Sequence, residues 1–141
     1  MAIRHAKAVW EGNIKEGKGT LELGSGVFKG PYSFRSRFET GAGTNPEELI
    51  AAALAGCFSM ALAHILTEAG HAPQKIATVA KANLGAVHNG FAINTIELET
   101  EATVPGIETN QFQQYAEEAK TNCPVSKALA ATRIEMKAKL A

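Results

Sequence analysis

Asn45-Pro46-Glu47-Glu48-Leu49-Ile50-Ala51-Ala52-Ala53-Leu54-Ala55-Gly56-Cys57-Phe58-Ser59-Met60-Ala61-Leu62-Ala63-His64-Ile65-Leu66 is the stretch that decides the fold. It begins as helices begin. Asn45 suits the N-cap, Pro46 the first helical position, and Glu48 the place from which a capping-box acid reaches back. No charged side chain follows Glu48 until Glu68. A helix polar only at its ends is a buried one. The run is nearly long enough to span a bilayer. It is mostly alanine, however, carries Cys57, Ser59 and His64, and is flanked by acids rather than Lys or Arg. The pattern predicts the core helix of a soluble protein, ending near Gly70. Ala51, Ala52, Ala53, Ala55 and Gly56 would let another backbone approach it closely.

Outward from this helix, the chain of 141 residues has the length of a single domain. Its formal charge is zero, with no long run of one sign, which argues against a nucleic-acid or anionic-membrane partner. Met1 to Trp10 lacks the apolar segment of a signal peptide. A cytoplasmic setting follows as the expectation, and there two cysteines are seldom a structural disulfide.

Before the helix, strands are expected at Ile3–Trp10, Gly19–Leu23 and about Tyr32–Glu39, the last with Arg35 and Arg37 on one face. After it, Ile76–Leu84 and Phe91–Val104 read as a hairpin turning at His88-Asn89-Gly90. A helix from about Thr109 to Lys120 presents Phe112, Tyr115, Ala116 and Ala119. Pro124 then starts another helix, making Cys123 its N-cap residue. Ile134–Leu140 closes the chain as a strand. The sum is an α+β domain with helices segregated from antiparallel sheet.

Cys57 has two readings. A free cysteine in a helix is most often a small packing hydrophobe. Cys57 lies about three turns in, beyond useful reach of the helix dipole, so a reactive thiolate there needs a cation from elsewhere. At an N-cap, Cys123 faces free backbone N–H groups that stabilise a thiolate. Glu47 and Cys57 are about 80° apart round the helix and cannot touch, but one arginine could reach both. Arg35 and Arg37 are the candidates beside the ordinary fate of a solvated strand face. His64 follows Cys57 on the same side and reads as a hydrogen-bonded core or interface residue. No further Cys or His stands at metal-ligand spacing, so no metal is expected. No phosphate-binding glycine loop or nucleophile elbow occurs.

Four blocks together are specific. Gly43-Thr44-Asn45-Pro46-Glu47-Glu48-Leu49, Ala55-Gly56-Cys57-Phe58-Ser59-Met60-Ala61, Val104-Pro105-Gly106-Ile107 and Asn122-Cys123-Pro124-Val125-Ser126 resemble the OsmC/Ohr family, and its OsmC branch in particular. The likeness runs from about Ile3 to Lys139. It implies an OsmC-like fold, one domain over residues 1–141, with sheet packed on long central helices in an intertwined homodimer whose active site lies at the subunit interface. It further implies a cysteine-based peroxidase that prefers organic hydroperoxides, acts in oxidative and osmotic stress, and needs no cofactor.

By the same resemblance Cys57 matches the peroxidatic cysteine, Cys123 the resolving cysteine, Glu47 the acid of the Asn-Pro-Glu block and Arg37 the branch's arginine, with Arg35 its neighbour and competitor. His64 matches no family motif. Arg37, held by Glu47, would stabilise the Cys57 thiolate; Cys57 would become a sulfenic acid, then a disulfide with Cys123, and a dithiol reductant, of lipoyl type by family likeness, would restore both. Leu54, Phe58, Met60 and Ala61 would favour an alkyl hydroperoxide over hydrogen peroxide. Two rival readings use the same residues: a non-enzymatic redox sensor that switches a partner contact, and a structural or small-ligand-binding module with two inert buried thiols.

Overall fold

In the computed structural model, which describes residues 1–141, ten elements follow one another. Strands β1 (Ala6–Glu11), β2 (Lys18–Leu23) and β3 (Lys29–Tyr32) precede a short helix α1 (Phe34–Phe38) and the long helix α2 (Pro46–Glu68). Strands β4 (Lys75–Val87) and β5 (Gly90–Thr103), helices α3 (Thr109–Asn122) and α4 (Pro124–Ala128), and strand β6 (Arg133–Leu140) complete the chain. They form two compact units, Met1–Leu49 and Ile50–Ala141.

In the first unit, β1–β2–β3 is an antiparallel meander. The predicted third strand is wrong in place and in kind. The strand is Lys29–Tyr32, and Phe34–Phe38 is helical. Ser33 decides this. Its Oγ accepts from the Ser36 N–H at 3.1 Å, while the Ser33 N–H donates to Ser36 Oγ at 2.8 Å. That reciprocal box starts a helix where alternation suggested extension. The Ser36 hydroxyl also donates to the Thr44 carbonyl at 2.6 Å, pinning the loop that follows. In that loop Gly43 has φ +116°, and a Cβ there would sit 2.7 Å from the Pro31 carbonyl oxygen, so only glycine fits. In a helix, residues two apart point to different sides, so Arg35 and Arg37 do not share a face.

Helix α2 starts as read: the Glu48 N–H donates to Asn45 Oδ1 at 2.8 Å. The Glu48 carboxylate does not reach back to the cap's N–H. It accepts from Thr44 Oγ1 at 2.7 Å instead.

In the second unit the sheet order is β4–β5–β6. The hairpin forms as predicted, with Gly90 at φ +131°. A bulge at Asn83/Leu84 lets the longer β5 keep register, leaving Asn94 as the extra residue. β6 joins β5 in parallel, so this sheet is mixed where an antiparallel one was expected. The chain crosses over through α3 and α4 before β6, and such a crossover permits a parallel neighbour. Along β5, Ile96, Leu98, Thr100 and Ala102 are buried while Glu97, Glu99 and Glu101 are exposed, so one face of the sheet is core.

Leu54, Phe58, Leu62 and Leu66, one turn apart on α2, fill that core with Phe112, Ala116 and Ala119 of α3. The Ser59 and Thr78 hydroxyls lie 2.7 Å apart, tying α2 to the sheet. The expectation of a helix buried all round is corrected. Its other face, with Ala52, Ala53, Gly56, Met60 and His64, is exposed; Met60 is 77% exposed and a Cβ on Gly56 would meet open space. This face is apolar apart from His64.

Candidate active site

Both cysteines belong to the second unit, and the fold brings them together. Cys57 projects from the middle of α2 and is half-buried. Cys123 stands between two helices. Its N–H donates to the Ala119 carbonyl at 3.0 Å to finish α3, and it caps α4 as predicted. Pro124 follows at the first helical position, and the Ser126 N–H donates to Cys123 Sγ at 3.3 Å. Ser126 Oγ lies 3.3 Å from the same sulfur. Both thiols are free, and they lie close enough for each to shift the acidity of the other.

The pair shares its protons unequally. Burial pushes the Cys57 thiol above its ordinary value; the Val125 N–H opposes this, while Cys123 raises it further through hydrogen bond and charge. Burial also works against the Cys123 thiolate, but the Ser126 hydroxyl and N–H, the Cys57 thiol and the Val125 N–H outweigh it and lower the Cys123 pKa. Taken alone, the pair therefore ionises first at the N-cap, and Cys57 keeps its proton. That agrees with the sequence argument that Cys57 requires an external cation.

A cavity of about 730 Å³ opens on both cysteines, lined also by Met60, His64, Glu118 and Pro124. His64, expected in the core or an interface, is exposed on this wall. Of the apolar residues named from sequence, Met60 and Ala61 line the cavity, whereas Leu54 and Phe58 point into the core. No group of three His, Cys, Asp or Glu side chains is placed to hold a metal.

In the first unit, Arg37 Nε and Nη2 both donate to Glu47 Oε1, at 3.0 and 2.8 Å. The Glu47 side chain is 8% exposed and that of Arg37 is 38% exposed. Arg35 turns away to Glu39 at 3.7 Å. The geometry thus selects Arg37 over Arg35 as the partner of Glu47. Glu47 Oε2 is buried and accepts nothing within the chain, although a buried carboxylate oxygen is costly to leave unpaired.

Residues 39–139 match the family of OsmC-like proteins. The chain is an OsmC-like protein. It is 51% identical over 129 residues to the peroxiredoxin OsmC of Escherichia coli, covering 91% of this chain and 90% of that one. It is 32% identical over 89 residues to the organic hydroperoxide resistance protein of Xanthomonas axonopodis pv. citri, covering 62% of this chain and 61% of that one. Among solved structures, an OsmC-like protein of unknown function from Vibrio cholerae superposes with a TM-score of 0.77 at 19% identity, covering 98% of this chain and 99% of that one. The organic hydroperoxide resistance protein OhrB of Bacillus subtilis gives 0.70 at 24%, covering 97% and 98%. At those identities the two structures speak for the fold, which is the α+β, OsmC-like one read from the sequence.

Sequence reasoning did not assign a role to Ser126, although its position three residues after a cysteine N-cap is the signal for it. Glu118 and Asn122 were likewise unmarked; they enter the cavity wall only through the way α3 packs.

Because Cys123 raises the Cys57 pKa, an OsmC-like Cys123→Ser variant should ionise Cys57 at lower pH than wild type. In a Cys57→Ser background, Ser126→Ala should move the Cys123 titration to higher pH. Thiolate absorbance followed against pH measures both; unmoved curves would contradict the assigned hydrogen bonds.

Proposed function

We propose that this chain is a thiol-dependent peroxidase that reduces organic hydroperoxides, and hydrogen peroxide less well, to alcohol or water in defence against oxidative and osmotic stress. The observation that carries the reading is the pairing of Cys57 with Cys123 across a cavity, in a chain half identical to a peroxiredoxin. We take the protein to be soluble and place it in the cytoplasm. Residues 1–141 act as one domain.

In the proposed mechanism Arg37, oriented by Glu47, supplies the positive charge that the thiol pair lacks, and Cys57 becomes the thiolate. Its sulfur attacks the terminal oxygen of the hydroperoxide. The O–O bond breaks, and the departing alkoxide, stabilised by the guanidinium, takes a proton to leave as alcohol. Cys57 is now a sulfenic acid, oxidised by two electrons. Cys123, acidic by virtue of its N-cap position, attacks that sulfur as thiolate; the S–S bond forms as the S–O bond breaks, and the leaving hydroxide takes up a proton to depart as water. The disulfide is reduced by an external dithiol, which we take to be of lipoyl type. Neither metal nor cofactor is required by these steps.

The working form is proposed to be an intertwined homodimer with the site at the subunit interface. Three features support this: the family likeness, the bare apolar face of α2 around Met60, and the buried Glu47 Oε2 that still needs a donor.

Consumption of cumene hydroperoxide with a dithiol reductant tests the chemistry. Cys57→Ser should show no turnover above the uncatalysed rate. Cys123→Ser should complete one oxidation per subunit and then stall. Full activity in Cys57→Ser would overturn the mechanism, and oxidation without turnover in wild type would favour the redox sensor. For the assembly, sedimentation should give twice the 14.9 kDa chain mass, and Met60→Asp should shift the population to monomer. A monomeric wild type would contradict the dimer.

A further inference from the structure

Three hydroxyls form a chain inside the second unit. Ser59 Oγ on α2 lies 2.7 Å from Thr78 Oγ1 on β4, which lies 2.9 Å from Thr100 Oγ1 on β5. The Thr100 hydroxyl donates to the Ala77 carbonyl at 3.3 Å. Thr78 and Thr100 stand directly opposite each other in the β4–β5 register, and Thr100 is buried. Each hydroxyl has one proton to give. Because the Thr100 proton goes to the carbonyl, Thr78 donates to Thr100 and Ser59 donates to Thr78. That one arrangement makes all three contacts, and it runs from the helix into the sheet.

No other side-chain hydrogen bond joins α2 to this sheet. The buried stripe of Leu54, Phe58, Leu62 and Leu66 packs by apolar contact, which has no preferred direction. A hydrogen bond does have one. Two residues along a helix turn through about 200°, so Ser59 and Cys57 point to nearly opposite sides of α2. A pin on Ser59 therefore sets the rotation of the helix about its axis, and with it the direction in which Cys57 projects. That direction is the cavity it shares with Cys123. A disulfide accepts only a narrow range of separations and dihedral angles, so a small rotation of α2 is felt at the two sulfurs.

We propose that Ser59, Thr78 and Thr100 are positioning residues, whose hydroxyl chain pins α2 so that Cys57 is held in line for disulfide formation with Cys123. The chemical use of the pin rests on the peroxidase reading above. It speeds the attack of Cys123 on the Cys57 sulfenic acid, before a second hydroperoxide, itself reduced to alcohol, carries that sulfur on to sulfinic acid.

The test equilibrates the protein with glutathione. Oxidised glutathione takes up the two thiol hydrogens as the Cys57–Cys123 bond forms, giving two molecules of reduced glutathione, so the equilibrium constant reports how well the sulfurs are placed. Thr78→Val removes the central hydroxyl at nearly constant volume and should lower that constant about tenfold. Thr78→Ser keeps the hydroxyl and should stay near wild type. Ser59→Ala leaves no donor unpaired and inserts a good helix former, so it carries the test should Thr78→Val fail to fold; it should lower the constant as well. Val79→Ala, at an exposed position next to Thr78, should leave it unchanged. In urea, where the pin does not exist, every variant should match wild type. A constant unmoved in the folded Ser59→Ala and Thr78→Val proteins, or lowered as far by Thr78→Ser as by Thr78→Val, would overturn the proposal. Lowered constants in a chain whose wild type turns over no peroxide would keep the pin and remove the peroxidase reading instead.

Discussion

A thiol halfway along an apolar helix holds its proton, because the charged form has little water and no helix end to stabilise it. Cys57 is in that position, and its neighbour makes the case more extreme. Cys123 caps α4, receives the Ser126 N–H, and takes the negative charge first. The interaction between the two thiols thus points the acidity the wrong way for attack by Cys57. It points it the right way for the second step of the proposed mechanism, in which Cys123 is the nucleophile. One local arrangement, a cysteine at a helix N-cap against a cysteine in a core helix, accounts for both facts.

In the proposed mechanism the ion pair of the first unit makes up this deficit. Arg37 donates twice to one Glu47 oxygen, is fixed by that bond and by the Phe38 ring, and retains unused donors. A guanidinium held this way is oriented before any substrate arrives, which is the condition for stabilising charge cheaply in a transition state. The Ser33–Ser36 box matters here as much as the charges do. By making Phe34–Phe38 a helix, it separates Arg35 from Arg37 and sends only one of them to Glu47.

Much of this could be read from the chain. The start of α2, the hairpin joined at His88-Asn89-Gly90 and the capping role of Cys123 each follow from a short pattern whose physics is local. The misread segments depend on less local causes. Tyr32–Glu39 alternates like a strand, yet a two-serine hydrogen-bond exchange and the anchoring of Ser36 on Thr44 outweigh the alternation. The parallel pairing of β6 depends on where α3 and α4 return the chain, which no property of Ile134–Leu140 encodes. Helix α2 has the composition of a fully buried helix, but the single chain covers one face of it. Composition records what the face requires without saying what supplies it. At the site, the pairing of Glu47 with Arg37 was legible through family likeness.

The claim on which the account turns is that Arg37 makes Cys57 ionisable. The direct measurement is the pH dependence of Cys57 alkylation by iodoacetamide in the Cys123→Ser protein, with Arg37 present and with Arg37→Met. The account predicts that the Arg37→Met curve moves to higher pH and that alkylation near neutrality slows. Superimposable curves from the two folded proteins would contradict it.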